Sequence, residues 1–240
     1  MRFHSSEVKL DFSDVLIVPK TSVLESRSNV NLNRKFLLKH AGWEWEGVPI
    51  IASNMDTTGT GTMAEALVNH DMVTALHKHH SVDEIVSIMH SVSFEDRTFF
   101  SMGTSNDDFL KLYDLNQFVE PRMICVDVAN GYTMTFLNTI ERLRQGFPNA
   151  FIMAGNVVTP EKTEQVILAG ADAVKVGIGP GSVCTTRIQT GVGYPQLSAI
   201  MECADAAHGL DGLICGDGGC SVPGDVVKAF AAGADFVMIG

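Results

Sequence analysis

The sequence has few of the features that mark a secreted or membrane protein. Its 240 residues include five cysteines, an odd number, and no two of them form a C-x-x-C pair. This argues against a disulfide framework and favours a reducing compartment. The first residues contain no apolar signal segment, and no later run approaches the roughly 18 apolar residues that a membrane span needs. We therefore expect a soluble, cytoplasmic protein without a membrane partner.

Positive charge is also scarce. The chain holds 17 lysines and arginines against 28 aspartates and glutamates, which gives a formal net charge of −11. Nucleic-acid binding relies on a basic surface that neutralises phosphates, so this balance speaks against a nucleic-acid partner. A small anionic substrate is compatible with the charge if the binding site supplies N–H donors and cations locally.

No linker or low-complexity segment divides the chain, and its hydrophobic content of 45% is enough for a full core. Short β-rich apolar runs alternate with helical patterns at nearly regular spacing, with one longer interval, which is typical of βα units. The predicted strands cover residues 48–52, 73–77, 99–102, 123–128, 151–154, 173–176, 213–215 and 236–239. A doubly wound sheet could show similar units, but eight strands favour a (β/α)8 TIM barrel, a single catalytic domain over residues 1–240.

A short internal repeat accompanies this pattern. Segment 169–177 matches segment 232–240 at six of nine positions, as expected for repeated entry into barrel strands. The eighth predicted strand ends at Gly240, and a closed barrel normally covers that strand with a further helix. We therefore expect an eighth helix and a C-terminal flap to lie beyond the sequence given.

Helix signals fit between the predicted strands. Ser81 and Glu84 form a capping box, and Thr159 with Pro160 supplies an N-cap and a proline at the first helical position. Two later helices are predicted from apolar residues on one face, namely Leu197, Ile200, Met201 and Ala204 in the first and Val226, Val227 and Phe230 in the second.

The longer interval between strands holds a glycine-rich loop around one cysteine, Cys184. Residues 175–187 read KVGIGPGSVCTTR, and residues 191–196 read GVGYPQ. Because glycine lets the backbone approach a ligand closely, this density indicates a backbone cradle. A thiol in such a loop is a candidate covalent nucleophile, since thiolates attack electrophilic carbon well. The alternative is a flexible crossover with an incidental cysteine.

The glycine spacing excludes two familiar motifs. No Gly-Lys-Ser/Thr is present, so the loop is not a P-loop, and the third glycine of the dinucleotide-binding fingerprint is missing. Asp217-Gly-Gly219 by itself is an ordinary turn. Together with Ser182 and Gly240 on neighbouring strand ends, it predicts a phosphate-binding nest, which flavin-binding barrels also have.

Three histidines, His77, His79 and His80, follow one predicted strand. Side chains this close in sequence, running from a strand into a turn, cannot all converge on one ion. Metal binding by these histidines is therefore the minor interpretation.

The cysteine loop resembles the catalytic loop of the GMP reductase and IMP dehydrogenase family, specifically of its reductase branch. The resemblance extends through segments that begin at Leu10, Ile51, Cys125, Ala154 and Cys203. It implies NADPH-dependent reductive deamination of GMP to IMP and ammonia through a covalent cysteine–purine intermediate, as part of purine nucleotide salvage. It also implies a homotetramer.

The resemblance further implies roles for individual residues. Cys184 attacks the purine, and Thr186 belongs to the proton relay together with a glutamate beyond residue 240. Substrate-binding residues are Ser53, Met55, Ser182, Asp217, Gly218, Gly219 and Gly240. NADPH contacts Ser26, Arg27, Lys78, Asp127, Val128, Ala129, Ile178 and Gly179, of which Ser26 and Arg27 reach a neighbouring subunit's cofactor. Backbone carbonyls of Gly179, Gly181, Cys184 and Arg187 hold a potassium ion.

The sequence departs from the reductase pattern at several positions. Ser53 stands where alanine is usual, Thr58 where valine is usual, His80 where tyrosine is usual, and Cys215-Gly216 where an aliphatic residue and serine are usual.

Three alternative functions stay open. An IMP dehydrogenase would oxidise IMP with NAD, but the short gap between His80 and Phe99 leaves no room for a CBS-type regulatory insert, and Pro180 stands where dehydrogenases tend to have serine. An FMN-dependent barrel oxidoreductase would explain the phosphate nest but would leave Cys184 without a role. A truncated, non-catalytic barrel that binds nucleotide is the third alternative.

Overall fold

A computed structural model describes residues 7–91 and 96–240. Two of the predictions depend partly on residues outside these ranges. The prediction that no apolar signal segment is present involves residues 1–6, and the prediction that no regulatory domain is inserted between His80 and Phe99 involves residues 92–95. Eight parallel strands form a closed barrel, because the last strand pairs with both the first and the seventh. They are β3 (Ile50–Ala52), β4 (Val73–Leu76), β5 (Thr98–Met102), β6 (Met123–Asp127), β7 (Phe151–Val157), β8 (Ala173–Val176), β9 (Leu213–Asp217) and β10 (Phe236–Ile239). The predicted TIM barrel is confirmed.

Helices connect the strands and pack around the barrel. They are α1 (Gly61–Val68), α2 (Val82–Ser91), α3 (Asn106–Leu115), α4 (Met134–Gly146), α5 (Pro160–Leu168), α6 (Thr186–Thr190), α7 (Gln196–His208) and α8 (Pro223–Ala231). The short helix α6 belongs to the loop that follows β8, ahead of the crossover helix α7. No helix within the described residues combines the length and apolarity that crossing a membrane would take.

Local sequence signals explain most helix starts. The amide of Ser81 donates to the carboxylate of Glu84 at 2.7 Å and the amide of Glu84 donates to the Ser81 hydroxyl at 3.2 Å, so the predicted capping box is confirmed. The predicted N-cap at Thr159 and the proline in the first turn of α5 are confirmed, although Thr159 does not cap the helix through its side chain. The Thr159 hydroxyl instead accepts a hydrogen bond from the Tyr132 hydroxyl at 3.1 Å.

Two apolar residues assigned to buried helix faces point outward. Met201 is 54% exposed and Val227 is 55% exposed, whereas Ile200 is fully buried. Each follows an inward-facing residue directly, and one step along a helix turns the side chain by about 100°. The buried stripes are therefore narrower than the sequence pattern predicted.

An antiparallel hairpin that the sequence pattern did not reveal closes the N-terminal end of the barrel. It consists of β1 (Arg34–Leu37) and β2 (Glu44–Gly47). Trp45 is fully buried, stacks on Phe36 and packs against Phe236 at the start of β10. Aromatic side chains thus fill the barrel below the polar residues at its other end.

The internal repeat has a structural cause. Asp172 precedes β8 and accepts from the amide of Ile152 on β7 at 3.0 Å and from the guanidinium of Arg144 at 2.7 Å. Asp235 precedes β10 and does the same, with the amide of Ile214 at 2.9 Å and the imidazole of His208 at 2.8 Å. Each aspartate therefore ties the start of its own strand to the preceding strand and to the end of a crossover helix.

Candidate active site

A cavity of about 940 Å³ opens at the C-terminal ends of the barrel strands. Most of the residues predicted for substrate, cofactor and catalysis line it: Ser53, Met55, Lys78, Asp127, Val128, Ala129, Ile178, Gly179, Gly181, Ser182, Cys184, Thr186, Asp217, Gly218, Gly219 and Gly240. Parallel strands bring their C-terminal ends to one face, so residues far apart in sequence meet there.

Three predicted residues lie outside this lining. Ser26 and Arg27 are exposed at a 3-10 helix (Arg27–Asn29), and the Ser26 hydroxyl caps it by accepting from the amide of Ser28 at 3.3 Å. The guanidinium of Arg187 contacts the Asp11 carboxylate at 3.3 Å and the Tyr194 carbonyl. The side chain of Arg187 thus ties the cysteine loop to neighbouring segments of the chain.

The thiol of Cys184 sits in a setting that favours its thiolate form. Its Sγ lies 3.3 Å from the hydroxyl of Thr186, in a hydrogen bond. The Thr186 hydroxyl and backbone N–H, with a contribution from the charge of Arg187, lower the pKa of Cys184 against the opposing effect of burial. A lowered pKa raises the fraction of nucleophilic thiolate at neutral pH.

The other four cysteines, all within the described residues, have the opposite environment. Burial raises the pKa of Cys125 and of Cys203 to about 12, that of Cys220 to about 11, and that of Cys215 well above its ordinary value. These thiols stay protonated at neutral pH. Cys184 is therefore the candidate nucleophile on chemical grounds as well as by position.

Selective alkylation tests this difference. We expect iodoacetamide at pH 7.5 to modify Cys184 at least about tenfold faster than Cys220, which also lines the cavity, since one pKa unit changes the thiolate fraction tenfold. Because the pKa of Cys184 is lowered, its rate should level off at a lower pH than that of a free thiol. Peptide mapping by mass spectrometry over time gives both rates. Equal modification of Cys220 would contradict the assignment.

Two glycines form a backbone cradle after β9. Gly218 and Gly219 have φ angles of +87° and +82°, which residues with side chains rarely adopt. A Cβ on Gly218 would lie 3.0 Å from the side chain of Pro180 in the cysteine loop. Both glycines line the cavity, and successive backbone N–H groups at such a turn are suited to binding phosphate.

Gly240 and Ser53 meet beside this cradle. A Cβ on Gly240 would lie 2.7 Å from the sulfur of Met55 and 2.9 Å from the hydroxyl of Ser53. Ser53 is 5% exposed, and its hydroxyl has no hydrogen-bond partner among residues 7–91 and 96–240. A buried hydroxyl without a partner is unfavourable, so a ligand atom is its natural acceptor or donor.

A buried lysine joins two carboxylates at the floor of the cavity. The Nζ of Lys175 lies 2.6 Å from an oxygen of Asp127 and 2.8 Å from an oxygen of Asp217. Burial would lower the pKa of Lys175, but the charges of Asp217 and Asp127 outweigh it and raise that pKa well above its ordinary value. Burial likewise opposes the charge of Asp127, yet Lys175 keeps the pKa of that carboxyl low.

Lys175 and Asp108 are cavity residues that were missed as site residues. Each carried a signal. Lys175 is a charged residue inside an otherwise apolar strand, and Ser105 with Asp108 has the spacing of a capping box, in which the Ser105 amide donates to Asp108 at 3.0 Å.

The histidines after β4 do not assemble a metal site. The rings of His77 and His80 stack with centroids 3.7 Å apart, and His80 lies 3.7 Å from a carboxylate oxygen of Glu84. Within the described ranges, no group of three or more histidine, cysteine, aspartate or glutamate side chains is placed to hold a metal ion. The histidines pack with each other and with helix α2.

Comparisons with known proteins agree with the geometry. Residues 9–240 match the family described as IMP dehydrogenase / GMP reductase domain. A GMP reductase of Edwardsiella ictaluri is 57% identical over 237 residues, which cover 98% of this chain and 68% of that protein. A GMP reductase of Escherichia coli is 56% identical over 239 residues with the same coverage. The structure of an inosine 5' monophosphate dehydrogenase from Legionella pneumophila is 35% identical with a TM-score of 0.85, covering 97% of this chain and 69% of that one.

Proposed function

The chain belongs to the IMP dehydrogenase / GMP reductase family and is an oxidoreductase of the GMP reductase type. We propose that it converts GMP to IMP and ammonia with NADPH, through a covalent bond between the purine and Cys184. The observation that carries this proposal is the activated thiol of Cys184, hydrogen-bonded to Thr186 in a cavity that also holds a glycine cradle. The higher identity to GMP reductases than to the dehydrogenase structure supports the reductive direction.

In this proposal the phosphate of GMP binds the cradle of Gly218 and Gly219, with Ser182 and Gly240 beside it. The ribose binds Asp217. One oxygen of that carboxylate accepts from Lys175 and from the amide of Asn156, each at 2.8 Å. The carboxylate is thereby held in one orientation, and its other oxygen is available to a ribose hydroxyl.

The chemistry divides into two steps at C2 of the purine. The thiolate of Cys184 adds to C2, and the 2-amino group leaves as ammonia after taking up a proton. Thr186, in contact with the thiol, is the residue of this chain proposed to pass that proton. NADPH, when bound, supplies the hydride for C2. The carbon–sulfur bond then breaks, which regenerates the thiolate and releases IMP.

We assign the proposed NADPH to the half of the cavity around β4 and β6. Lys78 lines this half of the cavity, and its positive charge contributes to lowering the pKa values of Asp108 and Asp127. Its ammonium is proposed to bind an anionic group of the cofactor. The proposed neighbours of the cofactor in this half and in the cysteine loop are Asp127, Val128, Ala129, Ile178 and Gly179, all of which line the cavity.

Potassium would bind the cysteine loop through backbone oxygens, the hard ligands that such a cation prefers. The carbonyl of Gly181 accepts from the amide of Cys184 at 3.0 Å, and that of Arg187 accepts from the amide of Gly191 at 3.1 Å. Each carbonyl retains a second lone pair. With Gly179 and the Cys184 carbonyl, they would fix the loop that carries the thiol.

We further propose a cytoplasmic homotetramer that serves purine nucleotide salvage. Ser26 and Arg27, exposed on this chain, are proposed to reach the cofactor of a neighbouring subunit.

Steady-state kinetics in both directions test the proposed reaction. We expect kcat/KM for GMP reduction with NADPH to exceed that for IMP oxidation with NAD by at least about a hundredfold, which corresponds to about 2.7 kcal/mol of transition-state stabilisation. NADPH consumption without GMP serves as the control. Faster IMP oxidation would assign the chain to dehydrogenase chemistry instead.

A further inference from the structure

We propose that Lys175 is a positioning residue that couples the substrate half of the cavity to the cofactor half through one shared ammonium group. The identity of the two ligands rests on the proposed function. The coupling itself rests on the arrangement of three charged side chains from three different strands.

The three side chains meet at the base of the cavity, near the C-terminal end of the barrel. Asp127 ends β6, Lys175 lies in β8, and Asp217 ends β9. Lys175 must reach past β7, which lies between β6 and β8, to contact Asp127. Gly155 on β7 permits this, because a Cβ there would come within 2.5 Å of the Cβ of Lys175. The glycine leaves the space through which the lysine crosses.

The ammonium of Lys175 is buried, and it donates hydrogen bonds to two carboxylates. Lys175 is 3% exposed, and both of its carboxylate partners lie within 2.8 Å of Nζ. Asp127 and Asp217 are 30% and 21% exposed, so each also faces the cavity. The lysine is therefore placed to hold in position the two carboxylates that face the cavity.

The charge balance makes the two carboxylates interdependent. With Lys175 present, one positive charge between two negative charges holds both carboxylates toward it. Without it, two carboxylates would face each other in a largely buried site, where like charges repel strongly. Each would turn toward solvent, and the binding of both ligands would suffer although only one residue had changed.

Replacing Lys175 with methionine tests this coupling. We expect the dissociation constant of GMP, measured by calorimetry without cofactor, and the KM for NADPH to rise by at least about tenfold each. Lys162→Met is the matched control, since Lys162 is also buried but lies outside the cavity lining, and it should change neither constant.

Asp127→Asn provides a second readout that a merely structural lysine would not affect. In the Lys175→Met background it removes one of the two unneutralised charges and should recover GMP affinity several-fold. In the parent it should leave GMP affinity within about twofold, because Lys175 then pairs with Asp217 alone. Such non-additivity is the signature of direct coupling between sites.

Several outcomes would overturn the inference. Unchanged GMP and NADPH constants in Lys175→Met would do so, as would an equal effect of Asp127→Asn in both backgrounds. If Lys175→Met does not fold, the double variant is compared with Asp127→Asn alone, and equal GMP affinity of these two would reject the role of Lys175.

The parent is measured first. If the parent fails to bind GMP, the proposed function is rejected and the inference with it, whereas a binding parent beside an unaffected variant rejects the inference only.

Discussion

Cys184→Ala is expected to lower the turnover of GMP by at least about a thousandfold while GMP affinity changes by less than about threefold. The alanine removes the only protein atom proposed to bond to C2 and leaves the cradle of Gly218 and Gly219, with Asp217, in place. The measurements are NADPH oxidation at saturating GMP and calorimetric titration of GMP.

Two further variants sharpen this test. Cys184→Ser retains a nucleophilic atom of similar position, but a hydroxyl is hardly ionised at neutral pH, so its turnover should fall almost as far. Cys203→Ala is the control, because that thiol is buried on α7 and outside the cavity, and its turnover should stay near that of the parent. Turnover of Cys184→Ala within about tenfold of the parent would remove Cys184 from the nucleophile role.

Asp172→Ala is expected to reduce the free energy of unfolding by about 3–5 kcal/mol, the usual effect of breaking a buried ion pair by removing one partner. Asp172 is fully buried and accepts from the amides of His40, Ala41 and Ile152 as well as from Arg144. The alanine would leave three backbone N–H groups without their acceptor and the charge of Arg144 without its counter-ion, although Arg144 would still donate to backbone carbonyls. Urea unfolding monitored by circular dichroism measures the difference.

Asp235→Ala is the matched comparison, since Asp235 occupies the equivalent position of the internal repeat. It accepts from the amide of Ile214 and from His208, whose side chain is 43% exposed. Water can replace the lost partner of His208 more easily than that of Arg144, whose side chain is 15% exposed. The loss should therefore be smaller than for Asp172→Ala. A loss of equal size at both positions would contradict the role assigned to the Arg144 pair.

Local patterns in the sequence were sufficient for the barrel and for the glycine-rich loops of the candidate site, whereas the roles of most site residues came from the resemblance to the family. Each strand was marked by its own apolar run and each predicted helix by a cap or an apolar face, which are properties of neighbouring residues. The glycines at 218 and 219 and the loop around Cys184 were likewise recognisable, because unusual backbone conformations require particular residues at particular positions. The barrel order then brought those loops to one end.

Other features depended on contacts between residues that are distant in sequence. Trp45 could not be placed at the N-terminal end of the barrel from the hairpin alone, because its partner Phe236 lies near the other end of the chain. Met201 and Val227 looked like core residues until packing fixed which side of each helix faces the barrel. Lys175 was an unexplained charge in an apolar strand until barrel closure placed it beside carboxylates 48 and 42 residues away. Sequence determined which residues can form strands, caps and a backbone cradle, whereas the tertiary structure decided which charges share a buried site, because electrostatic pairing depends on distance in space.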